Sequence, residues 1–355
     1  MRVKTILLAG IFVAALGATG CAPACPACPE QVVCPVCPEE VVRPESPPEV
    51  ICPEVSCPED RDQLTSEPGF AMSYPRVDGS TSAHPLAVLI ACELLDVPCY
   101  WQVDPFEGVK RLMPDILLPG KEHVAEHIMR AVVHQGTHGA YVNLIENRAD
   151  LVLVARLPSP DELELAKSLG VELEAEAVAL DSFVFLFNRH NPVSGLTVEE
   201  IQDIYTGKIT NWDQVGGDDA EIHAYQRDEN SGSQELMKTL VMKGLEMTVP
   251  AEPMVLMGMM GPINQLSEDR DGIGYSVYFF EEFMAPNEEI KLVKVNGILP
   301  SYDSIAARKY PFTTEVYAVV REGHDDTSGA YQLKDWLLSA EGQKVVAKSG
   351  YVPID

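Results

Sequence analysis

The sequence predicts an α/β fold for the chain beyond about residue 74, and three observations carry that expectation. Short apolar runs with strand character alternate with amphipathic runs at helical spacing as far as the C-terminus. No GxGxxG and no P-loop interrupts the alternation, which sets nucleotide binding aside. Three loops rich in Ser, Thr and Gly each open a helix, and one of them carries Arg227. A helix start gathers free N–H groups and the positive end of the macrodipole, so an oxyanion is its natural guest.

A chain of 355 residues, 46% of them apolar, is long enough for two domains. Its formal charge of −28 argues against nucleic acid and against anionic membrane surfaces as partners, because both need a basic footprint. An anionic ligand must therefore be held by local dipoles.

Residues 1–20 read as a targeting segment that is no part of the fold. Arg2 and Lys4 form the charged start, and 6–18 form an apolar stretch too short to span a bilayer. Ala18-Thr19-Gly20-Cys21 then resembles a bacterial lipobox, which makes Cys21 the expected lipid attachment site and the first residue of an exported, membrane-anchored chain. Residues 21–73 form a spacer rich in Pro, Glu, Val and Cys. Cys25-Pro-Ala-Cys-Pro-Glu-Gln-Val-Val33 is followed at once by Cys34-Pro-Val-Cys-Pro-Glu-Glu-Val-Val42, with echoes at Cys52 and Cys57. Paired CxxC motifs suggest zinc, but only five residues separate these pairs and a Pro follows every Cys of the tract. An oxidised, extended spacer fits better, and no metal is expected.

Globular sequence starts near Tyr74. In 78–86, Ser80, Thr81, Ser82 and Ala83 enter an apolar helix with Pro85 in its first turn. A helix is expected over 121–135, with Val124, Ile128, Ala131 and Val132 on one face and Gly136 as its stop. Thr137 opens the next hydroxyl-bearing loop, which leads into 141–147. A strand at 151–155 precedes a capped helix from Ser159 to Gly170; strands at 171–179 and 183–187 follow. Thr197 and Glu200 make a capping box for a helix whose stripe is Val198, Ile201, Ile204 and Tyr205. Cys92 and Cys99 fit either a disulfide or two buried thiols.

The central stretch is 226–234. A strand at 221–225 leads into it, and Leu236, Met237, Leu240 and Val241 follow at helical spacing. Ser231 with Gln234 reads as a capping box, which places the helix start at Ser231, Gly232 and Ser233. Arg227 adds a fork of donors suited to phosphate or carboxylate oxygens.

With these loops in place, residues 74–355 resemble the substrate-binding proteins of bacterial phosphate ABC transporters. The most specific signatures are Leu196-Thr-Val-Glu-Glu-Ile-Gln-Asp-Ile-Tyr-Thr-Gly-Lys-Ile-Thr-Asn-Trp-Asp-Gln-Val-Gly-Gly217, the 227–233 loop, Gly272-Ile-Gly-Tyr275 and Trp336-Leu-Leu-Ser-Ala-Glu-Gly-Gln343. The resemblance implies a two-lobed class II periplasmic-binding-protein fold with two crossover strands. Lobe one would comprise 74–181 plus 314–355 and lobe two 182–313, with the crossovers at or beside 184–187 and 316–320. It also implies inorganic phosphate as ligand, an ABC transporter permease as partner, no cofactor and a monomer. By resemblance Arg227 supplies the charged contact, Gly232 and Ser233 the helix-start donors, Ser82 and the Ala83 backbone the first loop, and Thr137 a binding hydroxyl. Some family members place an Asp after the 151–155 strand to accept the proton of bound phosphate. This chain has Ala155-Arg156-Leu157 there, so Arg156 is expected at the ligand, and Asp78, Asp181 or a backbone carbonyl must take the proton if sulfate is to be refused.

Other classes compete. His123-Val-Ala-Glu-His127 matches the H-x-x-E-H pattern of a zinc protease, although both His flank the Val124/Ile128 stripe, where solvated polar residues belong. The long spacer motivates a stalked anion sensor or adhesion module as the alternative to a transport component. Sulfate or another oxyanion is an alternative ligand.

Overall fold

The computed structural model describes residues 74–323 and 328–354. The targeting segment, Cys21 and the Cys/Pro spacer lie outside the described residues.

One sheet organises the fold. Its strands hydrogen-bond in the order Val77–Gly79, Leu151–Val154, Thr313–Arg321, Leu173–Asn188, Gly272–Val277 and His223–Ala224, with Ile290–Leu292 and Val352–Pro353 also pairing with Leu173–Asn188. The Leu173–Asn188 strand belongs to both halves: 173–182 pair antiparallel with Thr313–Arg321, and 183–187 with Gly272–Val277. The two strands expected at 171–179 and 183–187 are therefore one. Asp181 and Ser182 look like a polar interruption between them, but the Asp181 carboxylate accepts the N–H groups of Ser182 (2.8 Å) and Phe279 (3.1 Å), so the polar step is absorbed without a break.

Helices cover the sheet. Pro160–Ser168 and Val198–Tyr205 begin at Ser159 and Thr197 with the capping boxes that the sequence predicts. The helix expected over 121–135 is shorter, Glu122–Ala131, because Val132 leaves it to bridge Val77 at the sheet edge. Gly136 does not stop that helix; it opens Gly136–Ile145, so Thr137 and His138 stand in a helical first turn. His123 is exposed and His127 partly buried on Glu122–Ala131, and among the described residues no three His, Cys, Asp or Glu are grouped to hold a metal. Cys92 and Cys99 are joined as a disulfide, closing the end of helix His84–Leu94 onto strand Cys99–Val103.

The core lies on both sides of the shared strand. Phe183, Phe185 and Phe187 are fully buried, and Phe185 packs with Tyr205, Tyr275 and Phe312 at ring separations of 6.0–6.2 Å. Tyr351 stacks on Phe279 at 3.9 Å and donates its hydroxyl to the Ser82 carbonyl (2.9 Å), which ties the chain terminus to the first hydroxyl loop. Asp78 ties that loop to the next one. Its carboxylate accepts from Gly79 N–H (2.7 Å), Gln135 N–H (2.9 Å) and the Asn143 amide (2.6 Å).

Candidate functional site

A cleft of about 400 Å³ opens between the two halves of the sheet. One wall comes from Ser80, Thr81 and Ser82, the turn 135–139, and Ala155; the other comes from Arg227, Asp228, Asn230, Ser231, Gly232 and Ser233, backed by Met257, Gly258, Met259, Leu236 and Val277. Three separate loops thus converge, each opening a helix: 80–83 leaves strand Val77–Gly79, 228–231 leaves strand Gln226–Arg227, and the turn at 135 follows the bridge of Val132 to Val77 at the sheet edge.

The first loop is rigid for a local reason. Gly79 passes so close to the Leu153 carbonyl that a Cβ would collide with it, and Ser80 N–H donates to the same oxygen at 2.9 Å. The Ser80 and Ser82 hydroxyls lie 3.4 Å apart. Ala83 stands just behind them and does not line the cleft; its N–H is taken by the Ser80 carbonyl (3.1 Å) and hydroxyl (3.3 Å).

Arg227 dominates the opposite wall. Its guanidinium is nearly buried, held by Nε donating to the Leu256 carbonyl (2.9 Å) and by Nη1 against Met259 Sδ (3.7 Å). The nearest carboxylate, Asp228, stands 3.8 Å from Nη2, at the outer limit of an ion pair. Burial pulls the guanidinium below its ordinary pKa, with Asp228 opposing. A buried charge without a close counter-ion is costly, and an anion in the cleft would offset that cost.

The capping box expected at Ser231 and Gln234 does not form. Helix Gly232–Leu236 begins after Ser231, but the Ser231 side chain makes no cap hydrogen bond. Gln234 turns inward, where its amide oxygen accepts from Arg227 N–H (3.1 Å) and from the Tyr275 hydroxyl. Gln234 therefore fixes the backbone that carries the guanidinium rather than the helix start.

Arg156 is a second correction. Ala155 faces the cleft, and Arg156 points the other way onto buried Glu162, with Nη1 and Nη2 each 2.8 Å from a carboxylate oxygen. Burial alone would raise the Glu162 carboxyl, but Arg156, Ser159 and His138 outweigh it and hold the group below its ordinary value. A buried guanidinium needs a carboxylate, and the capping glutamate of the next helix supplies one. Asp78 and Asp181 also stand outside the cleft lining: Asp78 is held by the Gly79 and Gln135 N–H groups and the Asn143 amide, and Asp181 Oδ1 by the Ser182 and Phe279 N–H groups.

Ser80, Thr81, Ser82, Thr137, Arg227, Ser231, Gly232 and Ser233 are brought together around the cleft, whereas Ala83 and Arg156 are not. His138 and Asp228 line it too, although the sequence does not mark them as ligand contacts. Both directly follow a residue that it does mark, and no local pattern says which neighbour turns inward.

With the fold and cleft in view, the family model for the PBP superfamily domain matches residues 117–341. The chain belongs to the PBP superfamily. The match starts after the Ser80–Ser82 loop, so that loop of this superfamily member lies outside it. The chain is 26% identical over 181 residues to the phosphate-binding protein PstS of Borreliella burgdorferi, covering 50% of this chain and 64% of that one. It is 26% identical over 190 residues to PstS of Bacillus subtilis, covering 52% and 60%. The chain thus spans less than two thirds of the length of these relatives. Among solved structures, a phosphate ABC transporter substrate-binding protein from Clostridium perfringens, determined with bound phosphate, has a TM-score of 0.57 at 24% identity, over 79% of this chain and 98% of that one. An ABC-type phosphate transport receptor from Vibrio cholerae has a TM-score of 0.55 at 20% identity, over 78% and 99%. At these identities the likeness is one of fold.

Proposed function

We propose that this superfamily member captures inorganic phosphate between two lobes and delivers it to the permease of an ABC importer, acting as a binding protein and not as an enzyme. The carrying observation is Arg227, a nearly buried guanidinium with its nearest carboxylate at 3.8 Å, aimed into a cleft whose other wall presents the Ser80, Ser82 and Thr137 hydroxyls. A tetrahedral dianion satisfies both walls at once, by charge on one side and hydrogen bonds on the other. The names of the relatives support phosphate as that dianion. The lobes proposed are 74–181 with 314–355 and 182–313, which meet at the step in the shared strand where its pairing changes partner. Export, a lipid anchor at Cys21 and a monomeric state complete the proposal.

Isothermal titration of the purified chain with phosphate, then sulfate, tests it. Saturable phosphate binding is expected; silence from both anions would sink the proposal and favour the sensor or adhesion role suggested by the Cys/Pro spacer.

A further inference from the structure

His138 occupies the first turn of helix Gly136–Ile145, beside Thr137; it is one of the residues that line the cleft, and its side chain is 39% exposed. Nδ1 points back to Glu162 Oε1 at 3.1 Å. The Glu162 side chain is 0% exposed and takes both Arg156 Nη groups and the Ser159 N–H. An ionised carboxylate can only accept, so the proton between the two groups sits on Nδ1. In the neutral ring Nε2 is then an acceptor. Among the described residues nothing donates to it. Arg227 across the cleft only donates, and the hydroxyls of Ser80, Ser82, Thr137 and Ser233 can turn either way.

We propose that His138 Nε2 is the specificity-determining acceptor of this cleft, taking a hydrogen bond from the P–OH of hydrogen phosphate and opposing sulfate, which offers no proton. The assignment rests on the phosphate reading above. Arg156 and Glu162 act from behind as positioning residues, because they fix the ring and its tautomer without touching the anion. Asp228 is the carboxylate in the cleft lining, where Gln135 and Asn230 also carry amide oxygens, but it lies beside Arg227 and faces that charge. Glu162 and Arg156 behind the ring, and Arg227 and Asp228 across the cleft, are the charged groups that bear on Nε2.

The test is titration of the full chain, of His138→Ala and of Asp228→Asn with sodium phosphate and sodium sulfate at pH 8. The unmutated protein should prefer phosphate at pH 8, and His138→Ala should cut the phosphate-to-sulfate affinity ratio by about tenfold, the loss of one hydrogen bond to a charged partner. A ratio unchanged in His138→Ala while phosphate still binds overturns the assignment, as does a ratio that moves only in Asp228→Asn. In the unmutated protein the 15N shift of Nε2 should move with phosphate and stay with sulfate at pH 8; the reverse also overturns it. Silence from both anions in the unmutated protein refutes the phosphate reading itself, a failure separate from the loss of selectivity.

Discussion

Gly232→Ala isolates the closeness of the two walls. A Cβ built at Gly232 lies 2.5 Å from Thr137 Oγ1 and 3.1 Å from Thr137 Cβ, across the cleft. Ordinary contacts sit at about 3.5–4.0 Å, so the walls must part by about 1 Å or the Thr137 side chain must rotate away. Parting stretches the hydrogen bonds that one wall makes to an anion; rotation withdraws a donor. Either route loses about one charge-assisted bond of roughly 1.5–3 kcal/mol, which weakens phosphate binding about 10- to 150-fold. Folding stability should not fall with it, because Gly→Ala at a position needing no left-handed φ gains about 0.4–1 kcal/mol from the unfolded chain. Titration calorimetry and thermal melting on the same sample should therefore move in opposite senses, affinity down and Tm level or up. In a Thr137→Ala background the added loss should be much smaller, since the nearest obstacle is gone. Unchanged phosphate affinity in Gly232→Ala would refute the claim that the walls meet at this point.

Arg227→Ala should weaken phosphate by at least about tenfold and Ser233→Ala by less, with equal losses in calorimetry counting against the dominance of the guanidinium. Burial raises the Asp181 carboxyl from 3.8 to about 7, so the folded state keeps a proton that the unfolded state releases near pH 4. Stability contributed by that proton is full below about pH 4 and lost as pH rises through about 7, a penalty of about 4 kcal/mol above it. Asp181→Asn should thus stabilise at pH 8 and have much less effect at pH 4 in urea melts; equal destabilisation at both would show that the ionised form is needed. Reducing the Cys92–Cys99 disulfide, a sequence separation of 7, should cost about 2.5 kcal/mol and lower Tm by several degrees; an unchanged melt would show that packing alone holds this corner. Cys21→Ala should release the protein from membranes into the soluble exported fraction, and a variant retained in the membrane would remove the lipid anchor from the proposal.

What the sequence determined by itself was local or compositional. The strand at Leu151–Val154 follows from its apolar run, and the caps at Ser159 and Thr197 form because both partners lie in one turn. The convergence of hydroxyl loops on Arg227 was legible as well, since each opens a helix and the resemblance places them together. Tertiary contacts decided the rest. Ser231 and Gln234 have the same spacing as the working caps, yet Gln234 is claimed by Arg227 N–H and Tyr275, partners that no local pattern reveals. Arg156 turns from the cleft because Glu162 offers a buried counter-charge, and that same carboxylate orients His138 at the cleft wall. The strand 173–188 stays unbroken at Asp181 because a distant N–H, that of Phe279, meets its carboxylate. Sequence spacing ranks the hydrogen bonds a side chain can make with its own turn; only the folded chain brings up the competitors, and a buried polar group goes to whichever partner satisfies it most fully.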